Sequence, residues 1–190
     1  PERRFRRPPA VMHARQARRP RRTALALLGA FGHAVALAPA GLRGPPRLVW
    51  NVTASAPEGL YWVDAGRMPG VGEWAAVAPP AHLAAWLATR GYAPRGVLLI
   101  KQVAAAPPQQ VCRLGDIILV DQVQLASALA IDHAGRPLPA WRGCRRLADD
   151  EVFLLNSDTR SLDGRYFGPV ARVTVVGRAR PIAGARRPDA

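Results

Sequence analysis

From Gly44 onward the chain is cut into short apolar runs by Gly and Pro, of which the sequence holds 17 and 19. Short β-rich runs between such punctuation read as strands. The pattern predicts strands at 47–53, 58–63, 74–78, 95–104, 116–123, 151–155 and 170–178. One helix fits 80–90 (PAHLAAWLATR), stopped by Gly91. No internal repeat is visible. The expectation is a mainly antiparallel β domain over 44–180 with one helical insertion, followed by a loose Arg/Pro/Ala-rich tail at 181–190.

The first 43 residues have a different texture. Residues 1–22 hold nine arginines against one acid, Glu2, and carry most of a net charge of +14. Residues 23–42 (TALALLGAFGHAVALAPAGL) are apolar apart from Thr23 and His33. Twenty helical residues span about 30 Å, the thickness of a bilayer core. A basic arm beside such a run marks the cytoplasmic flank of a membrane segment. The arm is therefore read as cytoplasmic, 23–42 as an uncleaved transmembrane signal-anchor, and the rest as exported. Two rivals stand: a signal cleaved near Ala36-Leu37-Ala38 or Ala38-Pro39-Ala40, and a buried core helix. Nucleic acid is the usual partner of a basic chain. It is not expected here, because the surplus charge sits in one arm.

Apolar residues make up 49% of the chain and charged residues 21%, which excludes disorder. Of 27 basic residues, only Lys101 is lysine. Arg serves wherever charge alone is needed, but a guanidinium does not lose its proton, whereas a buried amine can. Chance survival of one Lys is the plain alternative. Cys112 and Cys144 belong to no CxxC pair, so neither a metal site nor a cofactor is expected. In an oxidising compartment they can form a disulfide, and the alternative is two unpaired buried thiols.

Three clusters carry chemistry. In Asn51-Val52-Thr53-Ala54-Ser55-Ala56-Pro57-Glu58-Gly59-Leu60-Tyr61, Pro57 and Gly59 shape a bend just after Ser55. If 51–55 is extended, Thr53 and Ser55 share a face. The Thr53 hydroxyl and the Ser55 N–H can then address one substrate oxygen. Val97-Leu98-Leu99-Ile100-Lys101-Gln102-Val103 sets the lone Lys in an apolar strand, where burial lowers an amine's pKa. A neutral amine near a Ser hydroxyl can take its proton. In Ser157-Asp158-Thr159-Arg160-Ser161-Leu162-Asp163-Gly164-Arg165-Tyr166-Phe167-Gly168-Pro169, an extended stretch would put Ser161 and Asp163 on one face. Ser161 can then hold the Lys amine, while Asp163 and Arg165 can pair. Each cluster also has an ordinary reading: a Ser in a turn, a Lys reaching solvent, and a loop with a surface ion pair.

Taken in order, the clusters resemble bacterial signal peptidase I. The shared features are a Ser-x-Pro-x-Gly-Leu-Tyr turn soon after an N-terminal anchor, a strand Lys, then Ser-x-Asp-x-Arg-Tyr-Phe-Gly-Pro. The Gly59-Leu60-Tyr61 run, the helix ending Arg90-Gly91-Tyr92 and the Tyr166-Phe167-Gly168-Pro169 ending are most similar to the TraF branch of conjugative-transfer peptidases. The resemblance covers about 48–176 and implies the signal peptidase/LexA-like antiparallel β fold. It implies Ser55 as nucleophile, Lys101 as general base, Thr53 with the Ser55 N–H as oxyanion hole, Ser161 as orienter of the Lys, and Asp163 and Arg165 as supports. Three positions depart from the family: Gln102 where Arg usually follows the Lys, Ala106-Pro107-Pro108-Gln109 where Leu-Pro-Gly-Asp is frequent, and Gly164 where Ser is common.

The resemblance implies a serine endopeptidase of the bacterial inner membrane, its catalytic domain periplasmic. It would cleave a protein substrate, a preprotein or a pilin precursor, after small residues, and some TraF-type enzymes join the pilin's new ends. A non-catalytic envelope component of a conjugation or secretion channel is the rival outside enzymes. A LexA-like self-cleaving protease is the rival among them, although 1–43 offer no helix-turn-helix.

Overall fold

A computed structural model describes residues 48–182. The arm at 1–22, the apolar run at 23–42 and the tail from 183 lie outside them. Among the described residues no helix is long and apolar enough to cross a membrane.

Among the described residues, eleven strands and two α-helices follow in order: β1 (Leu48–Asn51), β2 (Gly59–Ala65), β3 (Trp74–Val77), α1 (Ala81–Thr89), β4 (Leu99–Ala105), β5 (Gln110–Leu114), β6 (Ile117–Val120), β7 (Val123–Ser127), β8 (Gly143–Arg146), β9 (Glu151–Leu155), α2 (Gly164–Phe167), β10 (Val170–Ala171) and, after a 3-10 turn at Arg172–Thr174, β11 (Val175–Pro181). Seven form one sheet in the order β1-β2-β11-β3-β4-β9-β10, and four form a second in the order β7-β6-β5-β8. Every pairing is antiparallel. The chain is thus mainly β with two antiparallel sheets and few helices.

β4 is the strand that matters most. It lies between β3 and β9, pairing Lys101 with Ala75 and Gln102 with both Trp74 and Leu155. Successive side chains on a strand point to opposite faces. Ile100 accordingly packs with Ala56, Tyr61, Val63, Ala76 and Ala179. Val103 packs on the other face with Ala75, Val77, Val152 and Leu154. Lys101 shares the face of Val103, between apolar layers. A third cluster of Ala105, Val111, Ile118, Val120, Leu147, Phe153 and Leu155 ties the two sheets together.

Several element bounds differ from those expected. The strand read as 95–104 begins only at Leu99, because Gly96 takes a left-handed turn at φ +79°. The run 116–123 holds all of β6 and only the first residue of β7, the chain reversing at Asp121 and Gln122, which both have positive φ. The stretch 170–178 is broken by the 3-10 turn. β5 and β8 were not expected. Gln110 and Arg113 blur the alternation of β5, and β8 (GCRR) is exposed along its length, so apolar patterning has nothing to register. β5 and β8 place Cys112 directly opposite Cys144, and the two sulfurs are bonded.

Candidate active site

β1 ends at Asn51, and the chain turns at once rather than continuing extended. The expected shared strand face for Thr53 and Ser55 is therefore corrected: both lie in a turn closed by the Ala56 N–H donating to the Thr53 carbonyl. The turn is built by Asn51, which sequence reasoning did not single out. Its side-chain amide donates to the carbonyls of Thr53 (3.0 Å), Ala56 (3.1 Å) and Pro57 (3.1 Å). Its Oδ1 accepts from the Thr53 N–H (3.2 Å) and the Thr53 hydroxyl (2.7 Å). The signal was present as an Asx turn, an Asn bonding the backbone two residues on. Tyr61 donates to the Pro57 carbonyl at 2.7 Å, and Gly59 re-enters the sheet opposite Asn51 at φ +136°.

This turn holds Ser55 half-buried, its Oγ 3.3 Å from that of Thr53. Across the gap stands Lys101, 6% exposed. Its Nζ lies 3.4 Å from Ser55 Oγ and donates to Ser161 Oγ at 2.9 Å. Burial pushes the Lys101 amine down from 10.5 to about 8. Asp163 opposes that shift, Arg165 reinforces it and Asp158 opposes it. The amine is thereby set within reach of neutrality near physiological pH.

The stretch of Ser161 and Asp163 is not extended, so the condition for a shared strand face is not met. Ser161 sits in a loop, its N–H donating to the Asp158 carbonyl at 3.1 Å, and Asp163 caps α2. The Asp163 carboxylate accepts from the N–H groups of Asn156 (3.0 Å) and Arg165 (3.1 Å) and from the Arg165 guanidinium (2.8 and 3.1 Å). Arg165 is 1% exposed and spends its remaining donors on the carbonyls of Asn156, Thr159 and Ser127. A buried charge pair is costly unless such bonds satisfy it. Here they fasten both ends of the loop that presents Ser161. Arg113, on β5, adds a 2.5 Å bond to the Arg165 carbonyl and so ties the small sheet to the same loop.

The three departures have local explanations. The Gln102 N–H donates to Asn156 Oδ1 and its side-chain amide to the Gly72 carbonyl. Gln109 closes its turn by accepting from the Ala106 N–H and donating to Asp121. At Gly164 an added Cβ would come within 2.6 Å of the Leu154 carbonyl oxygen and 2.7 Å of the Phe153 ring. In this packing the position takes Gly alone.

A cleft of about 210 Å³ opens beside Ser55, Lys101 and Ser161, walled by Leu87, Tyr92, Pro94, Val97 and Ile100. α1 and the residues after it thus form one wall. Tyr92 is held by its hydroxyl bond to Asp132, which also pairs with Arg136 at 2.7 Å. Among the described residues no cluster of three metal-ligating side chains occurs.

An antiparallel β fold that buries a lone Lys between two Ser hydroxyls is the arrangement expected of a signal peptidase. Residues 21–183 match the family described as signal peptidase, peptidase S26, and the chain belongs to it. It is 37% identical over 155 residues to the conjugal transfer protein TraF of Agrobacterium fabrum, covering 75% of this chain and 84% of that one. It is 32% identical over 144 residues to the plasmid transfer protein TraF of Escherichia coli, covering 70% and 80%. A signal peptidase I structure from Enterococcus faecalis aligns at a TM-score of 0.35 and 20% identity, covering 58% of this chain and 95% of that one.

Proposed function

We propose that the chain is a serine endopeptidase working through Ser55 and Lys101. The observation that carries this is the buried Lys101 amine, 3.4 Å from Ser55 Oγ and held from behind by Ser161. Family membership and the kinship with TraF proteins support it. Neutral Lys101 takes the Ser55 proton as Oγ attacks the substrate carbonyl carbon. The oxyanion that forms meets the Ser55 N–H and the Thr53 hydroxyl. Thr53 now donates to Asn51, so its hydroxyl must rotate to do this. As the intermediate collapses the C–N bond breaks, and Lys101 returns its proton to the leaving nitrogen. Water then attacks the acyl ester, giving one proton to Lys101, which passes it to Ser55 Oγ as the ester opens.

The substrate is a secreted or membrane-inserted precursor, cut after small residues, as the family resemblance implies. The TraF kinship points to a conjugation system; the resemblance to TraF-type peptidases implies a pilin precursor as substrate and the cell envelope as the place of work. The test is incubation of the full chain with a candidate pilin precursor, the new terminus being mapped by mass spectrometry. Cleavage after a small residue, lost in Ser55→Ala, is expected. A Ser55→Ala variant that still cuts, or that supports transfer as well as wild type, would leave only a non-catalytic envelope role.

A further inference from the structure

Ser55 stands between two depressions of opposite character. The apolar cleft described above also reaches Lys101 and Ser161. On the other side lies a depression of about 470 Å³, lined by Ser55, Trp74, Gln102, Ser157, Asp158 and Arg160 among others. Of the residues above, only Ser55 and Arg160 border both. An extended peptide reaching both would pass over Ser55.

Within the polar depression the two charged groups are not held alike. Asp158 has its Oδ1 fixed by the Arg160 N–H at 2.7 Å. The Arg160 guanidinium adds two loose contacts, Nε to Oδ1 and Nη2 to Oδ2, both at 3.5 Å. The Arg160 side chain is 77% exposed against 21% for Asp158. An exposed pair at that distance holds little energy, so a ligand cation can displace the guanidinium. The carboxylate is then the preorganised charge and the arginine the mobile one. Trp74 supplies an aromatic wall, a surface suited to a cation.

We propose that this depression receives the residues that follow the cut, and that Asp158 selects a basic side chain, Lys or Arg, at the first or second of them. The inference rests on the Ser55/Lys101 reading above. It assigns Asp158 to substrate choice and not to proton transfer. The leaving nitrogen takes its proton from Lys101, and Asp158 forms and breaks no bond.

The experiment uses the full-length enzyme and peptides with one fixed sequence before the cut. The two residues after it are varied in turn among Lys, Gln and Glu. Attraction of Lys and repulsion of Glu both count, so kcat/KM for Lys should exceed that for Glu by roughly tenfold at low salt. In Asp158→Asn the ratio should fall towards one while the Gln peptide stays within about threefold of wild type. Asp158 also raises the Lys101 pKa, and its loss would shift the pH profile. That shift acts on every peptide equally and leaves the Lys/Glu ratio untouched, so the ratio isolates the subsite. Wild-type cleavage with a ratio near one, or a ratio unchanged in Asp158→Asn, would overturn the subsite and leave the peptidase standing. Failure to cut any peptide would overturn the peptidase and the subsite together.

Discussion

Burial of Lys101 works against its charged form, and at neutral pH the folded protein still holds most of this amine as ammonium. With the pKa brought down to about 8, roughly one molecule in ten is neutral at pH 7, against about one in 2,500 for an exposed Lys. Cleavage is therefore expected to rise with pH through a single ionisation near 8 and level off above it, read as kcat/KM against pH. Lys101→Arg keeps the charge but cannot lose the proton, so its rate should fall to that of Ser55→Ala. A rate above about a tenth of wild type would mean that the general base contributes only ~1.4 kcal/mol, and Lys101 could not hold the role. Stability carries a second consequence. The unfolded Lys titrates near 10.5 and the folded one near 8, so between those values the unfolded state binds more protons. Stability then rises with pH across that window, and below it the full penalty of about 3 kcal/mol stands. Lys101→Met removes the penalty but leaves Ser161 without its partner. A net gain of about 1–2 kcal/mol at pH 7, with cleavage lost, is expected from chemical denaturation. A Lys101→Met protein less stable than wild type at pH 7 would show that the amine carries no such penalty.

At the scale of elements, the site depends on how short segments are pinned rather than on strand length. α2 has only four residues, yet Asp163 caps it, and the Gly164 carbonyl takes the Trp141 indole N–H at 2.9 Å. Its first residue touches the Leu154 backbone and the Phe153 ring so closely that no Cβ fits. Gly164→Ala should therefore cost about 1–3 kcal/mol by overpacking, because a backbone carbonyl cannot swing aside as a side chain can. The displaced helix would carry Asp163 and Ser161 with it, so kcat should fall along with the denaturation midpoint. An unchanged midpoint would show that the loop yields freely. The same elements show what the sequence could and could not tell. β2, β3, β9 and α1 were legible, since their apolar spacing and Gly/Pro stops are intact. The Ser, the Lys and the Ser-x-Asp-x-Arg run were legible as types in order. Their local geometry was not: the turn at Ser55 is made by side-chain bonds from Asn51, and the loop carrying Ser161 is fastened by the Asp163 carboxylate to Asn156 and Arg165. Hydrogen bonds of that kind leave no periodicity in the chain. β8 was illegible for the opposite reason, being paired through its backbone with no buried side of its own.

For the whole molecule, the two sheets join through the cluster around Phe153 and Val111, and one run of bonds crosses between them. Arg113 on β5 bonds the Arg165 carbonyl, Arg165 pairs with Asp163, and the loop they hold presents Ser161 to Lys101. The small sheet is thereby part of what aligns Ser161 with Lys101. The chain before the described residues decides where this domain works. Ser55 follows residue 42 by only 13 positions, which at full extension reach about 45 Å. β1 and the Asn51 turn take up part of that length. An anchor at 23–42 would hold the nucleophile close to the bilayer surface, where the segment just outside the membrane is the part of a precursor in reach. The charge pattern sets the side. If 23–42 is an anchor, the nine arginines in 1–22 would keep that end in the cytoplasm, since translocating a cluster of cations is disfavoured, and residues 44–190 should lie outside. Protease added to intact spheroplasts should digest the β domain and spare the arm, detected with an epitope tag at each end. The bond between Cys112 and Cys144 gives the same topology an independent readout, because such bonds persist in the periplasm and are reduced in the cytosol. A protected domain whose two thiols both label in unreduced, denatured protein would place it in the cytoplasm and overturn the anchor's orientation.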